Sequence, residues 1–363
     1  WRERMYAVAA RLDPDSYFVL ARAVFAEMAL AGVASVGEFH YLHHGPGGTP
    51  YADPNAMGAA LAHAAAGAGI RITLLDTCYL AGGLGPDGPL PLDERQRRFG
   101  DRDAQAWAER FSVLRAGGHV QIGAAIHSVR AVPREDLATV VAAARGKPLH
   151  VHVSEQPAEN EQCQHAYGRS PTGLLAGAGA LGPLSTAVHA THLSAADIDE
   201  LGRSATSVAI CPTTERDLAD GIGPARALKD AGSPITLGSD QHAVIDLLEE
   251  ARGLEMNERM ASMRRGRFST PDLIAALTSD GQASLGWPDA GRIEAGARAD
   301  LTALRLDTPR TAGAEPQQAI LAATAADVHT VIVDGRVVVE GGRHVLGDIG
   351  RLLSDAIGPL WRG

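Results

Sequence analysis

The sequence predicts an α/β protein whose main unit is a (β/α)8 TIM-like barrel, with a small β-sandwich beside it. Two patterns support this prediction. Short strand-like runs alternate with helical segments over most of the chain, which is typical of a parallel sheet covered by helices. Near the C-terminus, apolar and polar residues alternate on both sides of Asp334-Gly335, which indicates a β-hairpin.

Seven strands are predicted from short apolar runs, at 34–40, 70–76, 119–126, 148–154, 186–190, 207–211 and 234–240. Helical patterns separate them at 54–68, 103–116, 134–145, 172–180, 195–202 and 224–231. The sequence starts inside an amphipathic pattern, so we expect the eighth barrel strand upstream of Trp1. We expect the barrel at 1–295, part of the small β-sandwich at 296–346, and a C-terminal helix and tail at 347–363.

Composition and charge narrow the classes of partner. The chain has 363 residues and a formal net charge of −10, which argues against nucleic acid or an anionic membrane as the main partner. No apolar run is long enough to predict a membrane span. The three cysteines (78, 163 and 211) form no CxxC pair, so we expect a reducing cytoplasm rather than a disulfide framework. The negative net charge does not forbid an anionic small-molecule substrate, because a local Arg pocket can override the global sign.

Histidine and acidic residues collect where the predicted strands end. They are Glu38, His40, Asp76, His127, His152, Glu155, His189 and Asp240. The carboxyl ends of barrel strands meet at one mouth, where barrel enzymes carry their active sites. The run "HVHVSE" (150–155) allows two interpretations, a hydrogen-bonded polar cluster in the core or part of a metal site. Polar strand ends at so many consecutive strands favour a site.

Three of these strand ends carry a resemblance to a known family. His152-x-x-Glu155, His189 and Ser239-Asp240 resemble the mononuclear-metal deaminases of the amidohydrolase superfamily. Within that branch, several stretches are similar to the formimidoylglutamate deiminase family: "WRERMY" (1–6), "VGEFHYLHH" (36–44), "HSVRAV" (127–132), "HVSEQPAENEQC" (152–163) and "GSDQHAVIDLLEEARGLE" (238–255). The resemblance covers essentially the whole chain.

The resemblance implies a metal-dependent hydrolase of histidine degradation, working as a homodimer. It would convert N-formimino-L-glutamate to N-formyl-L-glutamate and ammonia. One Zn²⁺ per subunit is implied, with His152 and Asp240 as two ligands; Glu155 is implied as the proton-transfer group, and His189 and Asp240 hold the attacking water. The family's other two metal ligands form a His-x-His pair on the first barrel strand. The sequence contains no such pair there, because His150 and His152 lie on a later strand.

A substrate derived from glutamate carries two carboxylates, so we expect cations beside the metal. Arg130 is the first candidate and Arg2 the second, with Tyr41 and His127 as further substrate-binding residues. A loop salt bridge is the alternative for Arg130, and a solvated helix face is the alternative for Arg2. Two other functions stay open: a deaminase of a heterocycle such as guanine, and a non-catalytic, degenerate barrel.

Overall fold

The computed structural model describes residues 2–361, with side chains from Arg4 onward. The strands are β1 (Ser35–His40), β2 (Arg71–Cys78), β3 (Gly83–Gly85), β4 (Gly88–Leu90), β5 (Val120–Ile126), β6 (Leu149–Val153), β7 (Ser185–His189), β8 (Ser207–Ile210), β9 (Ile235–Leu237), β10 (Leu301–Leu304), β11 (Val328–Val333), β12 (Arg336–Glu340) and β13 (Arg343–His344). Seven of them form one parallel sheet in the order β1-β2-β5-β6-β7-β8-β9. This sheet curls into a partial barrel, so the predicted TIM-barrel class is confirmed.

The helices are α1 (Arg2–Ala9), α2 (Pro14–Leu30), α3 (Ala56–Ala68), α4 (Ala104–Ser112), α5 (Leu137–Ala143), α6 (Pro157–Tyr167), α7 (Pro171–Gly177), α8 (Ala195–Arg203), α9 (Pro212–Asp217), α10 (Ala225–Ala231), α11 (Leu247–Ser262), α12 (Thr270–Leu277), α13 (Ser279–Ser284), α14 (Ala319–Ala322) and α15 (Ile349–Trp361). Among the described residues, no helix has the length and apolar character that crossing a membrane requires.

All seven predicted barrel strands are present, with their ends shifted by at most three residues. Strand β2 shows why they form: every residue of "RITLLDTC" is buried, as expected for a parallel strand covered on both faces. Local signals also fix the helix starts. Asp13 and Ser16 form a reciprocal capping box at the start of α2, and Ser194 and Asp197 form another at α8.

A second sheet of four antiparallel strands, β10-β11-β12-β13, follows the barrel. The predicted hairpin is present: Asp334 and Gly335 both have positive φ (54° and 76°) between paired Val333 and Arg336. This sheet contacts the barrel through the Asp300 carboxylate, which lies 2.6 Å from Arg71 Nη2. The division of the chain at 295 and 346 into separate units stays a prediction.

Candidate active site

A cavity of about 680 Å³ opens at the carboxyl ends of the barrel strands. Its lining includes Phe39, Tyr41, Tyr79, His127, Arg130, His152, Glu155, His189, Cys211 and Asp240. These side chains come from β1, β2, β5, β6, β7, β8 and β9 or from the loops that follow them. The parallel arrangement therefore brings together residues that are up to 200 positions apart in the sequence.

The backbone is strained around this cavity. Five non-glycine residues that end or follow β6, β7 and β9 have left-handed φ values: Ser154 (51°), His189 (66°), Ala190 (50°), Asp240 (43°) and His242 (59°). Such conformations cost about 1–3 kcal/mol each and concentrate at functional sites, where packing over-determines them. Three of these residues, His189, Asp240 and His242, line the cavity.

The His152 ring is fixed from one side by the backbone. Its Nδ1–H donates to the carbonyl of His127 at 2.7 Å, which places the lone pair on Nε2. The ring packs on Phe39, with ring centroids 4.2 Å apart, and stacks on His189, with centroids 5.6 Å apart. Burial lowers the pKa of His152, and the neighbouring His189 lowers it further. His152 is therefore held as a neutral imidazole with one available nitrogen.

His189 lies between two carboxylates. Its Nδ1 is 3.5 Å from Glu215 Oε1, and its Nε2 is 3.8 Å from Asp240 Oδ2. Glu215 is itself held in place, because it accepts a 2.8 Å hydrogen bond from the Cys211 backbone N–H. Burial lowers the pKa of His189, but the Glu215 and Asp240 carboxylates outweigh it and raise the pKa to about 9.

Arg130 is shared between two acidic side chains. Its Nη2 donates to Glu155 Oε2 at 3.3 Å, and its Nε lies 3.6 Å from Glu159 Oε2. The Arg130 and Glu155 side chains are 26% and 18% exposed, whereas Glu159 is 1% exposed. Burial raises the pKa of Glu159 to about 7, although Arg130 opposes this effect. The structure therefore shows the salt bridge that was the alternative interpretation of Arg130. One of its two partners, Glu155, is the residue for which the resemblance implies proton transfer.

Aromatic rings form another part of the cavity wall. The His127 ring meets Tyr79 and Tyr41 edge-on, with ring centroids 4.5 and 5.3 Å apart. Tyr41 also packs edge-on against Phe99 at 5.2 Å, and burial raises its pKa. The structure thus brings Tyr41, His127 and Arg130 to the same cavity as His152. The Arg2 side chain lies outside the described part of the chain.

The comparison with known families agrees with this geometry. The family model described as "Amidohydrolase family" matches residues 1–338. The chain belongs to the amidohydrolase family.

Relatives of this amidohydrolase are similar over nearly its whole length. A formimidoylglutamate deiminase of Pseudomonas aeruginosa is 37% identical over 360 residues, which cover 95% of this chain and 78% of that protein. An 8-oxoguanine deaminase of the same species is 31% identical over 345 residues, covering 92% of this chain and 74% of that protein. A crystal structure of an amidohydrolase from Brucella melitensis superposes with a TM-score of 0.91 and 31% identity, covering 99% of this chain and 82% of that one.

Amidohydrolases are typically metal-dependent, and the donor set in this cavity fits a metal ion. Donor atoms of His189, Cys211 and Asp240 all lie within 4.8 Å of one another. His152 adds an imidazole whose Nδ1–H is bound to a backbone carbonyl, the arrangement that orients histidine ligands in metal sites. Burial and the nearby Asp240 carboxylate raise the pKa of the Cys211 thiol. These influences favour the neutral thiol and leave imidazole and carboxylate as the better donors.

A second buried group, His40, His43 and Asp76, also has metal-like spacing. Here the cation is already supplied by the protein. Arg110 donates to both oxygens of Asp76, at 2.7 and 3.0 Å, and Trp107 Nε1 donates to the same carboxylate at 2.9 Å. A guanidinium bound to the carboxylate disfavours a metal ion beside it. This cluster therefore joins β2 to α4 and lies outside the active-site cavity.

Two acidic residues of the site were missed by sequence reasoning. Glu215 lies in the first turn of α9, after Cys211-Pro212 at the end of β8. Glu159 lies in the first turn of α6, four positions after Glu155. A carboxylate just after a strand end was the available signal in both cases, but only the folded chain shows which side chain it reaches. His150, in contrast, is a hydrogen-bonded interior histidine: its Nε2 donates to the Ser284 carbonyl at 2.9 Å.

Proposed function

We propose that this chain carries out the hydrolytic deimination of N-formimino-L-glutamate to N-formyl-L-glutamate and ammonia, a reaction of histidine degradation. The observation that carries the proposal is one cavity that combines a guanidinium, Arg130, with the His152, Glu155, His189 and Asp240 set. The 37% identical formimidoylglutamate deiminase supports the same substrate. A linear amidine bearing two carboxylates needs a hydrolytic centre and a cation within one cavity.

We propose Zn²⁺, one per subunit, as the metal, with His152 and Asp240 as two of its ligands. Imidazole and carboxylate are ligands that zinc takes in catalytic sites. When bound, zinc acts as a Lewis acid that makes water a stronger nucleophile near neutral pH. We also propose a cytoplasmic location, which the three separate, buried cysteines support because they suit a reducing compartment. A homodimer is proposed on the family resemblance alone.

The chain's own residues then carry the proton transfers. Glu155, at the cavity edge, accepts a proton from the attacking water and passes it to the imino nitrogen of the substrate. The water oxygen bonds to the formimino carbon and gives a tetrahedral intermediate. His189 and Asp240 orient the attacking oxygen, and Glu215 fixes the His189 ring that does so. A second proton moves from the new hydroxyl group to the same nitrogen, the C–N bond breaks, and ammonia leaves.

Arg130 binds a substrate carboxylate in this proposal, because a guanidinium forms paired hydrogen bonds with a carboxylate. Tyr41 and His127 supply polar atoms on the neighbouring wall, and Arg2 is proposed as the second cation. The bound substrate is thereby oriented with its formimino group toward His152 and Glu155.

A ring deaminase is the second candidate function. The 31% identical 8-oxoguanine deaminase and the aromatic wall of Tyr41, Tyr79 and Phe99 favour it. A planar, uncharged heterocycle has no group that matches the Arg130 guanidinium, so we rank it below the dicarboxylate.

Ammonia release by the full-length, zinc-loaded protein tests the proposal. We expect turnover of N-formimino-L-glutamate and none of guanine or 8-oxoguanine. Arg130→Met should raise KM about 100-fold, because a charge-assisted contact with a substrate carboxylate is lost. The zinc content should stay unchanged. Arg134→Met, which removes an exposed cation from the same loop, is the control and should behave as the wild type. Turnover of a purine but not of the formimino compound would replace the proposal with the ring deaminase.

A further inference from the structure

The shared position of Arg130 indicates a role for Glu159. Arg130 is the one described arginine side chain that contacts both Glu155 and Glu159, and it does so with different nitrogens of the guanidinium. Nη2 faces Glu155, which lies just before α6, and Nε faces Glu159, in the first turn of α6. The two carboxylates are four positions apart and hold one cation between them.

The two contacts differ in burial, and this difference decides which of them is permanent. Glu159 is 1% exposed, and among the described side chains Arg130 is the cation that its buried carboxylate contacts. Arg130 Nε is likewise buried without a well-formed hydrogen bond. The Glu155 contact lies at the open side, where both side chains are partly exposed and line the cavity. An arriving ligand therefore reaches the Nη nitrogens of Arg130 and not the buried Nε.

We infer that Glu159 is a positioning residue that anchors Arg130 through Nε, so that the Nη nitrogens can exchange Glu155 for a carboxylate of the substrate. This inference rests on the proposed function for the identity of that carboxylate. The exchange forms one guanidinium–carboxylate ion pair and breaks another, so the number of ion pairs at the Nη nitrogens of Arg130 is unchanged. It releases Glu155 from the ion pair when, and only when, a ligand with a carboxylate binds.

Specificity follows from the exchange. An uncharged heterocycle leaves the Arg130–Glu155 contact intact, and one oxygen of Glu155 then stays engaged by the guanidinium. A dicarboxylate removes the guanidinium from Glu155 as it binds. Without the anchor at Nε, Arg130 is left with Glu155 as its remaining carboxylate partner, and the substrate must compete with that pair directly.

Glu159→Gln in the full-length, zinc-loaded protein tests the anchor, with Glu161→Gln as the matched control because Glu161 lies on the exposed face of the same helix. We expect Glu159→Gln to raise both KM for N-formimino-L-glutamate and the Kd for N-formyl-L-glutamate about tenfold, the scale of one partly buried ion pair. Glu161→Gln should change neither constant. Calorimetric titration measures the Kd, and circular dichroism confirms that each variant is folded.

A double-mutant cycle separates anchoring from a structural role. In an Arg130→Met background, Glu159→Gln should change the Kd by less than about twofold, because the group it positions is gone. Equal effects in both backgrounds, or a wild-type Kd in Glu159→Gln, would overturn the anchor. If Glu159→Gln fails to fold, Glu159→Asp serves instead, and there a Kd equal to the wild type's also refutes it.

Ammonia release by the wild-type protein tests the proposed function independently of the anchor. A wild-type protein that binds N-formyl-L-glutamate but releases no ammonia from the formimino compound refutes the function and leaves the anchor standing. A protein that neither binds nor turns over these compounds refutes both.

Discussion

Replacing Glu155 with Gln should slow catalysis and tighten the binding of N-formyl-L-glutamate. Loss of the proton-transfer group should lower kcat by about 10²–10⁴-fold. The same change removes the carboxylate that occupies Arg130 Nη2 at 3.3 Å. Because that contact is partly exposed, it is worth about 1 kcal/mol. A ligand carboxylate no longer has to displace it, so the Kd for N-formyl-L-glutamate should fall about fivefold.

Steady-state ammonia release measures kcat, and calorimetric titration of the full-length, zinc-loaded protein measures the Kd. Metal analysis should find unchanged zinc, because Glu155 is not one of the proposed ligands. Glu161→Gln, a loss of the same charge on exposed α6 surface, should leave kcat and Kd as they are. A weaker Kd in Glu155→Gln would show that Arg130 does not exchange partners, and a kcat within tenfold of the wild type would remove Glu155 from the proton-transfer role.

Two further predictions concern buried charges. Arg110→Met should destabilise the protein by about 3–5 kcal/mol at pH 8, because it leaves the buried Asp76 carboxylate without its cation; the exposed Arg102→Met should cost little. Urea midpoints at pH 8 measure this difference, and equal midpoints for the two variants would contradict it. Glu215→Gln should lower the pKa of His189, which Glu215 helps raise to about 9. NMR titration of the zinc-free protein measures this, and an unchanged pKa would exclude the ion pair.

The barrel strands were predictable because each carries its own local signal. A parallel strand covered on both faces is indicated by a short run rich in apolar residues, and β2 and β6 are buried at every residue or nearly so. The hairpin at Asp334-Gly335 was equally local, because both residues tolerate positive φ. Strand ends were less certain: β9 ends at Leu237, three residues before the predicted end, since the backbone turns at Asp240.

The sequence predicted most of the residues that line the cavity, but it did not predict which side chains contact each other. His152, Glu155, His189 and Asp240 follow strands of one parallel sheet, so topology alone places them at one mouth. For Arg130 the sequence allowed a substrate carboxylate or a loop salt bridge, and only the fold shows that Glu155 and Glu159 are its partners in that bridge. Glu215 follows a strand end, but its partner could not be predicted from the sequence, because His189 is 26 positions away.

The sequence by itself determined the fold class, the seven strands and the set of residues that meet at their carboxyl ends, because periodicity and strand-end position are local properties of the chain. Only the tertiary structure decided which carboxylate pairs with which cation. Ion-pair partners depend on distances of a few ångströms between side chains on different elements, and on burial, which sets how strongly they interact. For this reason Arg110 is committed to the buried Asp76, while Arg130, at the cavity edge, remains able to exchange its partner.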